Sequence, residues 1–364
     1  MPLLTKLEVS LSYQLVGPEL KKDVPPAVLI HGLGANQAFW FLGALRHLGQ
    51  DRAHLIYDLR GHGASSMPEH GYDLVTMTAD LLELLDRLEI EKAHIVGHSY
   101  GARVALVFAL RHPDRVESLT IADTQIRALQ GPMKLGDWPH WPEWKADLAA
   151  RGVTTFPPED SIIDFSLLAA LGSRGSSGTT DQPGMLSKIN PAAQVGGGGG
   201  SRRIDLQSRQ MGAKGAERWQ TLMAREAVTN ELHDESCISV NGINDLEMPV
   251  MLMYGAMSHC VPTADKMMEL VPNGRRVLVP GGGHFFPIVK PQYFARVLNG
   301  FLARVEAGVV MPRGQTVSPA VAAMANSIAA QNAAQNAGVN APRFRSPRRM
   351  TPAFAALHTR RRGA

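Results

Sequence analysis

Gly97-His98-Ser99-Tyr100-Gly101 is the stretch of this chain best suited to covalent chemistry. A serine hydroxyl is a weak nucleophile at neutral pH and acts only when a neighbouring base takes its proton. Glycines on both sides of Ser99 permit a bend too tight for any Cβ, and such a bend points the hydroxyl outward. The flanking residues fit that geometry. Ala93-His94-Ile95-Val96 reads as a short buried strand, and Ala102 to Leu110 is rich in Ala, Val and Leu, as a helix packed on a sheet should be. With 35 glycines in the chain, the pentapeptide by itself could arise by chance. Two other loops strengthen it. His31-Gly32-Leu33-Gly34 follows the strand-like Ala27-Val28-Leu29-Ile30, and Gly281-Gly282-Gly283-His284-Phe285 follows the strand-like Arg275 to Val279.

Together these segments resemble the α/β-hydrolase superfamily. The likeness rests on the H-G-x-G loop at His31–Gly34, the segment Asp58-Leu59-Arg60-Gly61-His62-Gly63-Ala64-Ser65, the bend around Ser99 and the late His284, in family order and spacing. It covers roughly Leu7–Asp123 and Met248–Val305. It implies an α/β fold, a mostly parallel central sheet flanked by helices. It also implies Ser99 as nucleophile, His284 as base, and the backbone N–H groups of Leu33 and Tyr100 as an oxyanion hole. Dehalogenases and epoxide hydrolases of this fold carry aspartate at the bend, where this chain has Ser99. His98 and His259 are expected to be structural.

The third catalytic member departs from the common pattern. Family members often place an acid at the third residue past a Tyr-Gly or Trp-Gly pair, and Tyr254-Gly255-Ala256-Met257-Ser258 puts a serine there. Serine cannot balance an imidazolium charge. The superfamily offers a second position, just after its sixth strand, which Asp123 occupies in Ile121-Ala122-Asp123-Thr124. The order Ser99, Asp123, His284 keeps the family's serine–acid–histidine sequence. Asp58 is expected to brace the Arg60–Gly63 loop instead.

Length and composition bound the rest. A chain of 364 residues, 45% of them hydrophobic, can bury a substantial core. Three parts are expected: core residues 1–123 and 248–305, with a largely helical cap inserted at 124–247. In the core, Leu7–Leu15 alternates as an early strand, and Met77, Leu81, Leu84, Leu85 and Leu88 fall at helical spacing. In the insert, Ala146–Arg151 and Glu217–Glu231 read as helical pieces. Within the insert, residues 172–201 are rich in Ser and Gly and read as a mobile loop, and 306–364 reads as a disordered basic tail. Trp138, Trp141 and Trp144 would line or pack the cap. The formal charge of +4 belongs to that tail, which carries eight arginines after Val305 against Glu306, so the remaining chain is net acidic. A nucleic-acid partner is therefore not implied. No run of about 18 apolar residues exists, and the first residues lack a signal-peptide layout, so a cytoplasmic protein is the expectation. Cys237 and Cys260 lack metal-type spacing, and no metal or cofactor is expected.

The expected function is a cofactor-independent serine hydrolase that cleaves an ester, thioester or related carbonyl substrate through an acyl-enzyme on Ser99. The expected partner is a small, apolar carbonyl compound. A carbon–carbon bond hydrolase would use the same residues. A catalytically silent ligand-binding or scaffold homologue is the alternative from another class, motivated by Ser258 and the unusual insert. Cofactor-free haloperoxidase or perhydrolase activity is a further side possibility of the scaffold.

Overall fold

The computed structural model describes residues 9–150, 152–164, 167 and 218–309. Among these residues, seven strands form one sheet: β1 (Tyr13–Val16), β2 (Ala27–Ile30), β3 (His54–Tyr57), β4 (Ala93–His98), β5 (Val116–Ala122), β6 (Val250–Gly255) and β7 (Gly274–Val279). Their order is β1-β3-β2-β4-β5-β6-β7. Strand β1 runs antiparallel to β3, and every other neighbouring pair is parallel. Parallel neighbours need long crossovers, and helices supply them. These are α1 (Ala38–Leu42), α2 (Leu74–Arg87), α3 (Tyr100–Arg111), α4 (Trp141–Ala150), α5 (Glu226–His233), α6 (Val240–Asn244), α7 (Val261–Leu270), α8 (Phe286–Val289) and α9 (Pro291–Glu306).

The all-apolar composition of β2 follows from burial on both faces. Val28 and Ile30 join one core with Met77, Leu81 and Leu85 of α2, Val104 and Phe108 of α3, and Met267 of α7. Ala27 and Leu29, pointing the other way, join a second core with Phe39 and Trp40 of α1 and Phe294, Leu298 and Phe301 of α9. Helix α2 sets its apolar residues on one side and starts at Asp73, whose carboxylate accepts the Thr76 N–H at 2.9 Å.

Three elements differ from the sequence expectation. The early strand expected over Leu7–Leu15 is β1 at Tyr13–Val16, because β3 ends at Tyr57 and residues 10–12 pair instead with the loop beyond it. There the Ser12 carbonyl accepts from Asp58 N–H at 2.8 Å and the Ser10 carbonyl from Ser66 N–H at 2.8 Å. Helix α4, expected from Ala146, begins at Trp141, since Pro142 in a first helical turn loses no intrahelical bond. The helix expected over Glu217–Glu231 is two pieces, 218–223 and α5. Arg225 between them is extended and donates to the Pro68 carbonyl at 3.0 Å.

Between β5 and β6, Trp138, Trp141 and Trp144 form a third cluster with Leu135, Leu148 and Ile163. Trp144 meets Trp138 and Trp141 edge to face, with ring centres 5.4 Å and 5.9 Å apart. The stretch 172–201 and all residues of the expected tail from 310 onward lie outside the described residues. Glu306, where that tail was expected to begin, closes α9 and bonds Arg52 at 2.9 Å.

Candidate active site

The turn from β4 into α3 places Ser99 at φ 55°, ψ −121°, a backbone conformation costly for any residue with a Cβ. Its neighbours make the turn possible. A Cβ on Gly97 would collide with the Gly101 carbonyl, and one on Gly101 would collide with the Ile30 and His31 carbonyls. Ser99 N–H donates to the Ala122 carbonyl at 2.9 Å, which ties the bend to the end of β5.

His284, on the loop after β7, brings Nε2 to 3.0 Å from Ser99 Oγ. Its Nδ1 lies 2.8 Å from Asp123 Oδ1. Asp123 sits just past β5 at φ 48° and is fully buried. Since the carboxylate can only accept, Nδ1 carries the hydrogen and Nε2 presents its lone pair to the serine hydroxyl. Burial pushes the Asp123 carboxyl up. The hydrogen bond and charge of His284, the Ser258 hydroxyl and the Gly255 N–H outweigh it and hold the group below the ordinary carboxylate range. Ser258 Oγ donates to Oδ1 at 2.5 Å, and Gly255 N–H donates to Oδ2 at 2.7 Å. The same Ser258 oxygen accepts from Cys260 N–H at 3.1 Å. Thus the serine in the family's usual acid position is bonded to the acid that stands elsewhere, a link the sequence did not reveal.

On the other side of Ser99 stands the His31–Gly34 loop. A Cβ added to Gly32 would come within 3.0 Å of Ser99 Cβ. The N–H groups of Leu33 and Tyr100 find no acceptor among the described residues. Two unbonded amides beside a serine hydroxyl can receive an oxyanion that forms on an attacked carbonyl.

The two other histidines nearest His284, His98 and His259, have partners of their own. His98 Nε2–H donates to the His284 carbonyl at 2.8 Å, and Phe39 stacks on its ring at 4.6 Å. Burial lowers its pKa to about 3, so the ring is neutral. His259 is lowered by burial to about 4 and lies 3.4 Å, through Nε2, from the Cys260 thiol. Asp58 accepts from Gln37 N–H at 2.8 Å and Ala64 N–H at 2.9 Å, bracing its own loop. Among the described residues, one group of side chains has donor atoms close enough for a metal ion: Asp123, Cys260 and His284, within 4.8 Å of one another. Two of those three are already bonded to each other through Oδ1 and Nδ1.

Sheet order, bend and serine–histidine–aspartate contacts define an α/β hydrolase. The family pattern described as alpha/beta hydrolase fold matches residues 25–291, and the chain belongs to that family. Among curated proteins, it is 42% identical over 109 residues to a putative carbamate hydrolase, RutD, of Stutzerimonas stutzeri, covering 29% of this chain and 40% of that protein. It is 39% identical over 102 residues to an abhydrolase domain-containing protein of Caenorhabditis elegans, covering 27% of this chain and 23% of that protein. The matched region thus spans less than half the length of these relatives. Among solved structures, a hydrolase from Pseudomonas aeruginosa is 25% identical with a TM-score of 0.52, over 81% of this chain and 94% of that one.

Proposed function

We propose that the protein is a serine hydrolase that cleaves an ester, thioester or related carbonyl compound through an acyl-enzyme on Ser99. The carrying observation is the unbroken chain from Ser99 Oγ to His284 Nε2 at 3.0 Å and from His284 Nδ1 to Asp123 at 2.8 Å. Nε2 takes the hydroxyl proton as Oγ attacks the carbonyl carbon. The imidazolium that forms is balanced by Asp123, which its own hydrogen bonds keep ionised. The carbonyl oxygen, now negative, turns toward the N–H groups of Leu33 and Tyr100. His284 then protonates the leaving group and afterwards activates the water that releases the acid.

The family membership and the likeness to a relative named a putative carbamate hydrolase support hydrolysis of a carbonyl compound, and carbamates fall within that class. Ser258 was one of two reasons, with the unusual insert, to consider a silent homologue; its bond to Asp123 supports the catalytic reading instead. Of the segment between β5 and β6, Trp138 is tied to the loop after β6 through Nε1–H to the Met257 carbonyl at 3.2 Å, which supports the reading of a cap beside the site. No helix among the described residues is long and apolar enough to cross a membrane.

A fluorophosphonate probe tests the reading. Labelling of the wild-type chain that vanishes in Ser99→Ala is expected, together with loss of aryl-ester turnover. Equal labelling of the two proteins, or none of well-folded wild type, refutes it.

A further inference from the structure

We propose that His62, outside both the bend and the H-G-x-G loop, is a positioning residue for the oxyanion amide, clamping with His31 the two peptide planes that flank Leu33. The inference rests on the serine-hydrolase reading above. After Leu33, Gly34 N–H donates to His62 Nε2 at 3.2 Å. Before Leu33, the Gly32 carbonyl accepts from His31 Nδ1–H at 2.8 Å and from Ala35 N–H at 3.3 Å. In a trans peptide the C=O and N–H point in opposite directions, so holding the Gly32 carbonyl fixes where the Leu33 N–H points.

The exchange is reciprocal between two loops. His31, after β2, accepts the Leu59 N–H on Nε2 at 3.1 Å, while His62, after β3, accepts the Gly34 N–H; each bond spans 28 residues. The ring centres are 5.4 Å apart. His62 Nδ1–H donates to the Arg60 carbonyl at 2.9 Å, which sets the tautomer and leaves Nε2 free to accept. Burial, reinforced by the neighbouring His31, lowers the His62 pKa to about 3 and keeps that lone pair available. The ring of Trp219 stands 5.5 Å from His62. Without these bonds, a loop carrying glycine on both sides of Leu33, with Gly34 at φ 65°, could rotate its flanking peptides and turn the amide away from Ser99.

Two variants that differ by one methylene separate positioning from general packing. In His62→Gln the terminal amide oxygen reaches the place of Nε2 and still accepts from Gly34. In His62→Asn the amide reaches only the place of Nδ1, keeping the Arg60 bond and losing Gly34. His62→Asn is expected to lower kcat on an aryl ester by about 100-fold with KM nearly unchanged, the scale of a lost oxyanion donor. It should weaken by a similar factor a trifluoromethyl ketone whose Ser99 adduct bears an oxyanion. His62→Gln should recover most of both. Equal kcat in the two variants, or loss of fold in both by circular dichroism, overturns the positioning role. If fluorophosphonate does not label wild-type Ser99, the hydrolase reading has failed instead.

Discussion

Ser258 donates to the same Asp123 oxygen that His284 binds, so the residue in the family's usual acid position is bonded to a carboxylate just past the neighbouring strand. Strands β5 and β6 are parallel, with Ala122 beside Met253, so the residues just past their ends converge on one point. Gly255 N–H reaching Asp123 at 2.7 Å is the direct sign of that convergence. A carboxylate placed at position 258 is therefore expected to reach Nδ1 as well. Asp123→Asn is expected to lower kcat by about 10⁴-fold, the size of the loss when a triad acid becomes an amide. Adding Ser258→Asp should recover a large part of it. Ester turnover measures both, and a double variant no better than Asp123→Asn would show that position 258 cannot aim a carboxylate at the imidazole.

At the scale of elements, local sequence and packing divide the work. Helix α2 has a face legible in the spacing of Met77, Leu81 and Leu85, while its start is set by Asp73, which accepts from Thr76 N–H and from Thr76 Oγ1 at 2.6 Å. Asp73→Ala is expected to cost about 1 kcal/mol of folding stability. Urea unfolding reads that loss, while kcat per folded molecule stays at the wild-type value; a stability unchanged by the substitution would contradict the cap. Element ends were less legible where a partner decides them. Residues 10–12 look strand-like in sequence but pair with the loop at 58–66, and Arg225 interrupts a helical pattern to reach Pro68. Helix α4 starts at Trp141, earlier than the Ala146 expected from sequence, where Trp141 and Trp144 pack with Leu148.

The molecule as a whole buries an unusual set of neutral histidines. Burial lowers His54, His94 and His259 to about 4 and His62 and His98 to about 3, with His31 shifted the same way. In the unfolded chain these groups titrate near 6.5. Between those values the unfolded state binds more protons than the folded one, so stability falls as pH drops from about 6.5 toward 4. The depressed carboxyls of Asp123 and of Glu306, held down chiefly by its bond to Arg52, act lower still. Their contribution is present above about 4 and is lost as pH falls through their folded values. The thermal midpoint should therefore decline by several degrees between pH 7 and pH 5 and steepen below. Scanning calorimetry across that range tests it, and a flat midpoint would mean that these imidazoles are protonated in the folded state.

What the sequence determined alone were features that need only near neighbours along the chain. The glycines around Ser99 dictate a tight bend because no Cβ fits there, the apolar run of β2 demands cover on both faces, and the spacing of Met77, Leu81 and Leu85 gives α2 one apolar face. Which residues meet across the fold was decided by tertiary structure. His284 reaches Ser99 across 185 residues, and Ser258 reaches Asp123 across 135. His62 reaches Gly34 only because β2 and β3 lie side by side. Spacing along the chain carries no record of such distances; strand order and register set them, since those alone bring loop ends of separate strands to one edge of the sheet.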